Sequence, residues 1–381
     1  MFAARVRSHR CEFIPLLLIL SCVGLTQLGC GVSKGGTKNP PPNAKQVLYV
    51  ADSGNNVSGW TIQSDGSLTA ISGLPFAVGG TSVAAHHNGK FLFSMGGTSQ
   101  ANNALNTDAV ASGGALSVAS TVPDSTLAGG MSINPAGTAL YVSSIDAAQG
   151  NWGWKTYSIH SDGSLQFVSG MINQVPSELV FTPDGSNAYS GNCYHLGSII
   201  DHYTVASDGT LTFTGDPLPY SYTFGQCIYA IAITPAGNTI ASVWANADSQ
   251  GPADNFILLF GLDSSTHKLN PPGPTSPASG VGRDTVFDPS AKFLVVAQDN
   301  GVGVYQVGSN TVTEVSGSPF AAGTKFTRVK FTPSGGQVVA LSREGQQVFV
   351  FSFNSSTGAL TSAPGSPTST TTPNDLAIIR Q

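Results

Sequence analysis

The sequence feature that most constrains the fold is a short turn motif that recurs along most of the chain. A hydrophobic stretch ends in a turn of the form x-Pro-x-Gly, or a close variant, at intervals of 44 to 54 residues. The copies are 133–137, 181–185, 233–237, 287–290 and 331–335, with His86-His87-Asn88-Gly89 as a degenerate copy. Repeats of this period indicate a fold built from one supersecondary unit used many times.

A second repeated marker, a tight hairpin turn, lies between the proline turns. The clear copies are Ser-Asp-Gly at 64–66, 161–163 and 207–209 and Ser-Gly-Gly at 112–114, and weaker copies begin at 264, 309 and 355. Asp-Gly favours a two-residue hairpin, because such hairpins need positive φ angles. Short alternating runs such as Leu48-Tyr49-Val50 separate the markers and predict four strands per repeat. This arrangement is typical of the blades of a β-propeller.

The two ends of the repeated region are incomplete in complementary ways. The first repeat begins at Gln46 without an opening strand, and an additional strand pattern, 374–380, follows the last repeat. This tail aligns with the opening strand of another repeat at 177–183. We therefore predict an all-β, seven-bladed β-propeller over residues 46–381, with four-stranded blades. We expect the C-terminal strand to pair with the N-terminal blade and so close the ring, which leaves no open sheet edge there.

The N-terminal segment has the features of an export signal. Three arginines precede a short apolar run, 13–25, which is too short for a comfortable membrane span, and a small residue, Gly29, comes directly before Cys30. We expect residues 1–29 to be a signal peptide of lipoprotein type, with Cys30 as the lipidated residue. Residues 30–45 are expected to be a Gly- and Pro-rich tether.

Alternatives for this segment are plain secretion, an uncleaved anchor, or lipidation at Cys22 in a second match to the motif. In each case the protein is exported, to the periplasmic or cell-envelope side. The formal net charge of −5 gives no basic surface for nucleic acid or for anionic lipid. Membrane attachment is therefore expected only through a lipid anchor.

Of the five cysteines, only Cys193 and Cys227 lie in the predicted propeller. An oxidising compartment favours a disulfide between them. The chain has no Cys-x-x-Cys pair, which gives a zinc site or a redox motif little support. We predict no metal and no cofactor.

Three segments carry a resemblance to a known family. They are 318–324 (Ser-Pro-Phe-Ala-Ala-Gly-Thr), its echo at 74–77 (Leu-Pro-Phe-Ala), and 49–56 (Tyr-Val-Ala-Asp-Ser-Gly-Asn-Asn). Together they resemble the bacterial lactonase family of seven-bladed propellers, typified by propeller-type 6-phosphogluconolactonase and the related muconate cyclase. The resemblance spans nearly all of residues 46–381, and it implies the propeller fold and a lactone-hydrolysing activity.

The resemblance also implies roles for individual residues. Family members carry Gly-Pro-Arg-His at the start of an inner strand, where this chain has Gly282-Arg283-Asp284. The arginine is retained as Arg283, and Asp284 takes the position of the histidine. His86 and His87 are displaced into a turn and are expected to face solvent.

Alignment of the inner strands on the proline turn predicts one candidate site. Side chains one and three places before the turn are apolar and are expected to pack between blades. On the opposite face, four places before the turn, the blades carry Ser82, Gly130, Glu178, Ala230, Asp284, Arg328 and Asp375. Three carboxylates and one arginine are therefore predicted at one level around the channel.

These residue types indicate acid–base chemistry. A carboxylate crowded by like charges can have a raised pKa and act as a general base, so Asp284 and Glu178 are candidate bases towards a lactone carbonyl. Arg283 and Arg328 are candidates to stabilise an oxyanion or to hold a carboxylate or phosphate. One alternative is a structural plug in which Asp284, Arg328 and Asp375 neutralise each other. Another is a metal held by Glu178 and Asp375.

Aromatic and imidazole side chains are expected on the loops between second and third strands, at the same end of the channel. Together with Asp375, the candidate ligand-binding residues are Trp154, Tyr194, His195 and Trp244. Such side chains suit a sugar-like, lactone or peptide ligand. The alternative is that they only pack between blades.

The function expected from these observations is that of an exported, monomeric, lactonase-like propeller. It would bind a small polar ligand at the channel mouth and hydrolyse a lactone. The alternative is a non-catalytic propeller at the cell surface that binds a protein or a glycan.

Overall fold

The computed structural model describes residues 45–96, 103–146, 151–172, 176–192, 199–215, 226–246 and 255–381. The chain divides into Met1–Pro41 and Pro42–Gln381, and all described residues belong to the second unit. No helix lies within these ranges, and so none there could cross a bilayer. The strands are β1 (Gln46–Asp52), β2 (Val57–Ile62), β3 (Leu68–Ala70), β4 (Ser82–Ala85), β5 (Phe91–Gly96), β6 (Ala104–Val110), β7 (Leu116–Pro123), β8 (Leu127–Ile133), β9 (Ala139–Asp146), β10 (Asn151–Ile159), β11 (Leu165–Ile172), β12 (Pro176–Phe181), β13 (Asn187–Asn192), β14 (Ile200–Val205), β15 (Leu211–Phe213), β16 (Gln226–Ile233), β17 (Thr239–Asn246), β18 (Phe256–Leu262), β19 (Leu269–Pro277), β20 (Gly282–Phe287), β21 (Phe293–Gln298), β22 (Gly301–Val307), β23 (Val312–Glu314), β24 (Arg328–Phe331), β25 (Gln337–Ser342), β26 (Gln347–Phe353), β27 (Leu360–Ser362), β28 (Thr368–Ser369) and β29 (Pro373–Arg380).

These strands form seven antiparallel sheets, the blades of a propeller, which confirms the predicted fold. From the innermost strand outwards, blades 1 to 7 are β29-β1-β2-β3, β4 to β7, β8 to β11, β12 to β15, β16 to β19, β20 to β23 and β24 to β27, and β28 also pairs with β26. The innermost strands contact one another in a closed cycle, from β29 through β4, β8, β12, β16, β20 and β24 back to β29. The side chains at the start of each inner strand therefore meet around one central channel.

The ring is closed by the C-terminal strand, as predicted. Strand β29 pairs antiparallel with β1, so that Leu48 lies opposite Ile378 and Val50 lies opposite Leu376. Both Val50 and Leu376 are fully buried. Blade 1 is thus assembled from strands at opposite ends of the propeller sequence.

The hydrophobic core is divided among the interfaces between blades. Seven clusters of buried side chains occur, one between each pair of neighbouring blades. Between blades 7 and 1, for example, Leu48 and Val50 pack with Val339 and Leu341. Because each blade buries both faces against its neighbours, no blade has a complete core of its own.

The turns explain how the repeat produces these blades. In the proline turns, glycine takes a positive φ, as at Gly185, whose N–H donates to the carbonyl of Thr182 at 2.8 Å. The hairpins differ from the prediction of two-residue loops, which is wrong. Gly66 donates to the carbonyl of Gln63 at 2.9 Å, and Gln63 donates to that of Ser67 at 2.9 Å, which makes a three-residue loop. Only its glycine needs a positive φ, as in a type I turn followed by a glycine bulge.

One ionisable group is buried inside a blade, away from the channel. Asp108 lies on β6 and is fully buried, and the Ser94 hydroxyl donates to its Oδ2 at 2.7 Å. Among the described residues, its Oδ1 has no hydrogen-bond partner. Burial raises the pKa of Asp108 to about 6, against the opposing effect of the hydrogen bond from Ser94.

We expect Asp108→Asn to stabilise the protein at neutral pH. Because the pKa in the folded state is raised above that of an unfolded chain, the carboxyl destabilises the fold progressively as pH rises from about 4 to 6, and fully above that. Removing the charge should increase the free energy of unfolding by on the order of 2 kcal/mol at about pH 7.5 and by little at about pH 4. Thermal denaturation at both pH values measures this.

A matched control is Asp288→Asn, because Asp288 is equally buried but its two oxygens accept hydrogen bonds from Ser290 and Phe293. That variant should lose stability at neutral pH. If Asp108→Asn also lowered the melting temperature at neutral pH, the destabilising charge assigned to Asp108 would be excluded.

Candidate functional site

A cavity of about 190 Å³ lies at the end of the channel where the inner strands begin, and we call it the mouth cavity. Six of the seven predicted ring positions line it: Gly130, Glu178, Ala230, Asp284, Arg328 and Asp375. The seventh, Ser82, donates its hydroxyl to Asp375 at 2.6 Å. The structure therefore brings the predicted carboxylates and Arg328 together around one space.

Asp375 is an ionised link between three blades. Its Oδ2 accepts hydrogen bonds from the Ser82 hydroxyl and from the N–H of Val83 at 3.1 Å, and its Oδ1 lies 3.3 Å from Nε of Arg328. Burial alone would raise the pKa of Asp375. The positive charges of Arg328 and Lys330 and the hydrogen bonds from blade 2 outweigh this, so the pKa lies below its usual value.

Asp284 is also a buried carboxyl, but its pKa is shifted in the opposite direction from that of Asp375. Its Oδ2 accepts the N–H of Val329 in the next blade at 2.9 Å, and its Oδ1 accepts the N–H of Thr285 at 2.8 Å. Burial raises the pKa of Asp284 to about 6; the charge of Arg328 opposes this rise and that of Glu178 adds to it. Asp284 can therefore gain or lose a proton near neutral pH.

An ion pair crosses the channel below these groups. Nζ of Lys330 in blade 7 lies 3.7 Å from Oε1 of Glu178 in blade 4, on the opposite side of the ring. Both side chains remain partly exposed, 34% for Lys330 and 45% for Glu178. Because charged partners at this depth are poorly screened, the neighbouring carboxylates raise the pKa of Lys330 above its usual value despite burial.

Lys330 is absent from the predicted ring, although a signal for it existed. It lies two residues after Arg328 on β24, and side chains two apart on a strand share a face. The equivalent positions in other blades include Ala84, Val180 and Val286. A single lysine in this second, mostly apolar ring is the sequence feature from which Lys330 could have been identified as a channel residue.

Two further lining residues, Tyr229 and Arg283, occupy irregular positions in their strands. The register of β16 shifts between Ile228 and Ala230, and that of β20 shifts between Gly282 and Asp284. A bulge adds one residue and redirects a side chain. This is why Arg283 and Asp284, although adjacent in sequence, both line the mouth cavity.

The guanidinium of Arg283 stacks on the ring of Tyr229, 4.9 Å from its centroid. This cation–π contact positions the charge without neutralising it. Among the described residues, Arg283 has no carboxylate partner, whereas Arg328 is paired with Asp375. Arg283 is therefore the better placed of the two arginines to bind an anion.

The predicted tryptophans do not line the mouth cavity. Trp154 and Trp244 lie in strands β10 and β17 rather than in loops, with exposures of 1% and 0%. Trp244 stacks on Phe256, with ring centroids 5.6 Å apart, and its indole N–H donates to Ser242. Their placement corresponds to packing within and between blades, which was the alternative for these residues.

Other predicted residues lie outside the described ranges. These are Tyr194, His195, Cys193 and the lipidation candidate Cys30. Cys227, on β16, is disulfide-bonded. Its pairing with Cys193 stays a prediction.

His86 and His87 lie in the turn of blade 2, as expected, but they are not simply solvated. Nε2 of His86 is 2.8 Å from the carbonyl oxygen of Gly137, and Nε2 of His87 is 3.0 Å from that of Asn134. Both contacts reach the proline turn of blade 3. These histidines therefore connect two neighbouring turns.

A second, larger cavity of about 500 Å³ lies below the ion pair, and we call it the vestibule. It opens between the exposed proline turns at the other end of the channel, where Pro135, Pro183 and Pro235 border it. Its walls are mostly apolar, and Glu178 and Lys330 lie among its lining residues. The ion pair thus lies between two spaces of different polarity.

The two carboxylates considered as metal ligands, Glu178 and Asp375, both contact basic side chains. Within the described ranges, no three His, Cys, Asp or Glu side chains are grouped as a metal site. What the mouth cavity offers is an acid–base group, ion-paired carboxylates and one cation with no acidic partner in that part of the chain.

No protein-family model and no curated protein matches the chain. Several solved structures do match the chain. A candidate 6-phosphogluconolactonase of Bacteroides uniformis superposes with a TM-score of 0.71 at 15% identity, over 88% of this chain and 99% of that one. The periplasmic gluconolactonase of Pseudomonas aeruginosa gives a TM-score of 0.70 at 16% identity, over 88% and 99%. The predicted resemblance to lactonase-type propellers is therefore confirmed at the level of the fold.

Proposed function

We propose that this protein hydrolyses a small polar lactone in the mouth cavity. The observation that carries the proposal is a carboxyl with a pKa of about 6, Asp284, in the same cavity as Arg283, which has no acidic partner among the described residues. A general base works best when its pKa is near the working pH. A fixed cation nearby stabilises the negative charge that develops when water attacks a carbonyl.

In this mechanism Asp284 takes a proton from a water molecule, whose oxygen attacks the lactone carbonyl carbon. Arg283 stabilises the oxyanion that forms. The ring C–O bond then breaks, and Asp284 returns the proton to the leaving alkoxide, which gives a hydroxy acid. Glu178 is the second candidate base, and Arg328 keeps Asp375 ionised and in place.

The size of the cavity supports a small substrate. At about 190 Å³ it is smaller than the roughly 300–1,000 Å³ of cavities that take drug-sized ligands. A single sugar-like ring is the size of ligand that it suits. The fold shared with two proteins described as gluconolactonases or candidate 6-phosphogluconolactonases supports the same substrate class.

The proposal includes export of the protein. The N-terminal segment supports a signal peptide with lipidation at Cys30, and a disulfide from Cys227 to Cys193 would suit an oxidising compartment. A similar structure belongs to a periplasmic protein. We therefore propose a cell-envelope location, with membrane attachment through the lipid alone.

A hydrolysis screen over simple lactones, with and without a carboxylate or phosphate substituent, tests the activity. We expect turnover of a small polar lactone, and we expect Arg283→Met to lower kcat/KM for the anionic ones by about 10–100-fold, the value of one or two charge-assisted contacts. The matched control is Arg343→Met, since Arg343 is exposed and lines neither the mouth cavity nor the vestibule. No turnover of any lactone would exclude the catalytic proposal.

A second candidate function, a non-catalytic propeller that binds a surface protein or a glycan, is favoured by one observation. The carboxylates of Asp284 and Asp375 accept backbone N–H groups of the next blade, so both also hold the ring together. In that case lactones would bind weakly or not at all, and the Arg283→Met variant and the wild type would give the same result in the lactone screen.

A further inference from the structure

We propose that the vestibule is a second binding site, specific for a small zwitterion that carries an apolar side chain, such as an apolar α-amino acid. This site lies at the other end of the channel from the mouth cavity, although Glu178 and Asp284 line both spaces, and ligand binding there does not require lactone hydrolysis. The proposal rests on three observations: the size and polarity of the vestibule, its opening to solvent, and the pair of opposite charges at its inner end.

The vestibule has the dimensions and walls of a ligand site. Its volume of about 500 Å³ falls within the roughly 300–1,000 Å³ range of small-molecule sites. Val180, Ala232 and Val286 from the second ring of the channel line it, together with Phe181 and Phe287. Since this surface is apolar and reachable from solvent between the proline turns, an apolar side chain of a ligand would gain free energy by covering it.

The carboxylate and ammonium groups that line the vestibule belong to Glu178, Asp284 and Lys330. Glu178 and Lys330 line both the vestibule and an adjoining cavity of about 280 Å³, so the pair stands where these spaces meet. The separation of 3.7 Å between Nζ and Oε1 is longer than a charge-assisted hydrogen bond of roughly 2.7–2.9 Å. Both side chains keep exposed surface, 34% and 45%, that a ligand can reach.

This open ion pair is complementary to an ammonium and a carboxylate carried by neighbouring atoms. The ligand carboxylate would accept hydrogen bonds from Lys330, and the ligand ammonium would donate to Glu178. Each of these charge-assisted contacts would be shorter than the contact between Lys330 and Glu178, in surroundings where such contacts are strong.

A ligand with only one charge is disfavoured by the same geometry. An anion bound to Lys330 would come close to the carboxylate of Glu178 without compensating it, and a cation bound to Glu178 would do the same to Lys330. Leaving one partner of a partly buried pair uncompensated is costly. The two charges therefore select for a zwitterion over its singly charged analogues.

Isothermal titration calorimetry on the full chain tests this with three probes that share the same phenylethyl skeleton: L-phenylalanine, 3-phenylpropionate and phenethylamine. We expect saturable binding of L-phenylalanine, and at least about 10-fold weaker binding of the other two, which each lack one charge. Because this comparison uses only the wild-type protein, it does not depend on whether a variant folds.

Variants then assign the site. Lys330→Met removes the ammonium group that would bind the ligand carboxylate and should weaken binding of L-phenylalanine by about 10-fold or more. Ala232→Phe should weaken it by a similar factor, because the larger side chain fills the vestibule. Arg283→Met is the matched control, since Arg283 lines the mouth cavity and not the vestibule, and it should change the affinity by less than about twofold.

Two results would overturn the proposal. One is the absence of saturable heat with L-phenylalanine up to about 10 mM, a concentration that reveals a Kd of about 1 mM. The other is equal affinity for 3-phenylpropionate, which would show that Glu178 takes no part. Neither result bears on lactone hydrolysis, so failure here is distinguishable from failure of the proposed activity.

Discussion

Asp284→Asn is expected to lower kcat/KM for lactone hydrolysis by about 10²–10⁴-fold, the contribution usual for a positioned general base. The amide is isosteric and its oxygen can still accept the N–H of Val329, which keeps the link from blade 6 to blade 7. The amide nitrogen then faces the N–H of Thr285 and cannot accept it, so the melting temperature of the variant is measured beside its kinetics. The catalytic loss expected is the ability to take a proton from water. Steady-state kinetics, corrected for spontaneous hydrolysis, measure the effect.

The pH profile gives this prediction a second readout. Because the pKa of Asp284 is raised to about 6, the fraction of ionised base, and with it kcat/KM, should rise through that pH and level off above it. The Asn variant should lack this inflection. Asp208→Asn, at an exposed hairpin turn, is the matched control and should keep both rate and profile. Retention of the inflection in Asp284→Asn would remove Asp284 from the mechanism and direct attention to Glu178.

The second large effect concerns the closing strand. Deletion of residues 373–381 is expected to abolish cooperative folding. It removes Leu376 and Ile379, which are 0% and 2% exposed, and it leaves the whole inner edge of β1 unpaired. Loss of each such side chain costs about 2–5 kcal/mol, and the total stability of a domain is only about 5–15 kcal/mol. Circular dichroism, thermal melting and size-exclusion chromatography should report an unfolded or aggregated chain.

Removal of Gln381 alone leaves β29 complete and is the control for the deletion. That variant should melt cooperatively. A synthetic peptide of residues 373–381, added to the longer deletion, should restore part of the transition. A deleted chain that eluted as a monomer with a sharp thermal transition would contradict the idea that blade 1 needs its C-terminal strand.

The fold could be predicted from sequence because its determinants are local and repeated. Turns such as 181–185 recur in nearly the same form, so each copy of the motif strengthens the assignment of the others. The additional strand pattern at 374–380 could pair at only one place, the first repeat, which lacks its opening strand. The hairpins were less predictable. Ser-Asp-Gly is compatible with both two-residue and three-residue loops, and which one forms depends on strand pairing beyond the turn.

The site could be predicted only in part, for reasons of register. Period-two alternation predicts Glu178, Asp284 and Asp375 on one face of the inner strands, and all three line the mouth cavity, while their roles stay predictions. The alternation fails at the bulges that bring Arg283 and Tyr229 to the same cavity, because a bulge shifts the side chains beyond it by one position. Arg283 was a candidate through the family resemblance, and Tyr229 was not predicted.

The other differences arise from tertiary contacts that a single strand does not encode. Trp154 and Trp244 have the same local pattern whether they face solvent or a neighbouring blade, and burial decides between the two. Lys330 could have been found by alternation, but its partner could not. Glu178 is three blades away, and only the closed ring brings it opposite.

Closure by β29 has a consequence for how the protein is made. A ribosome releases β1 well before β29, so during translation the first blade lacks its inner strand until the other six blades have emerged. Pairings between such distant segments also form slowly. For a protein exported as proposed, the ring can close only after β29 has crossed the membrane.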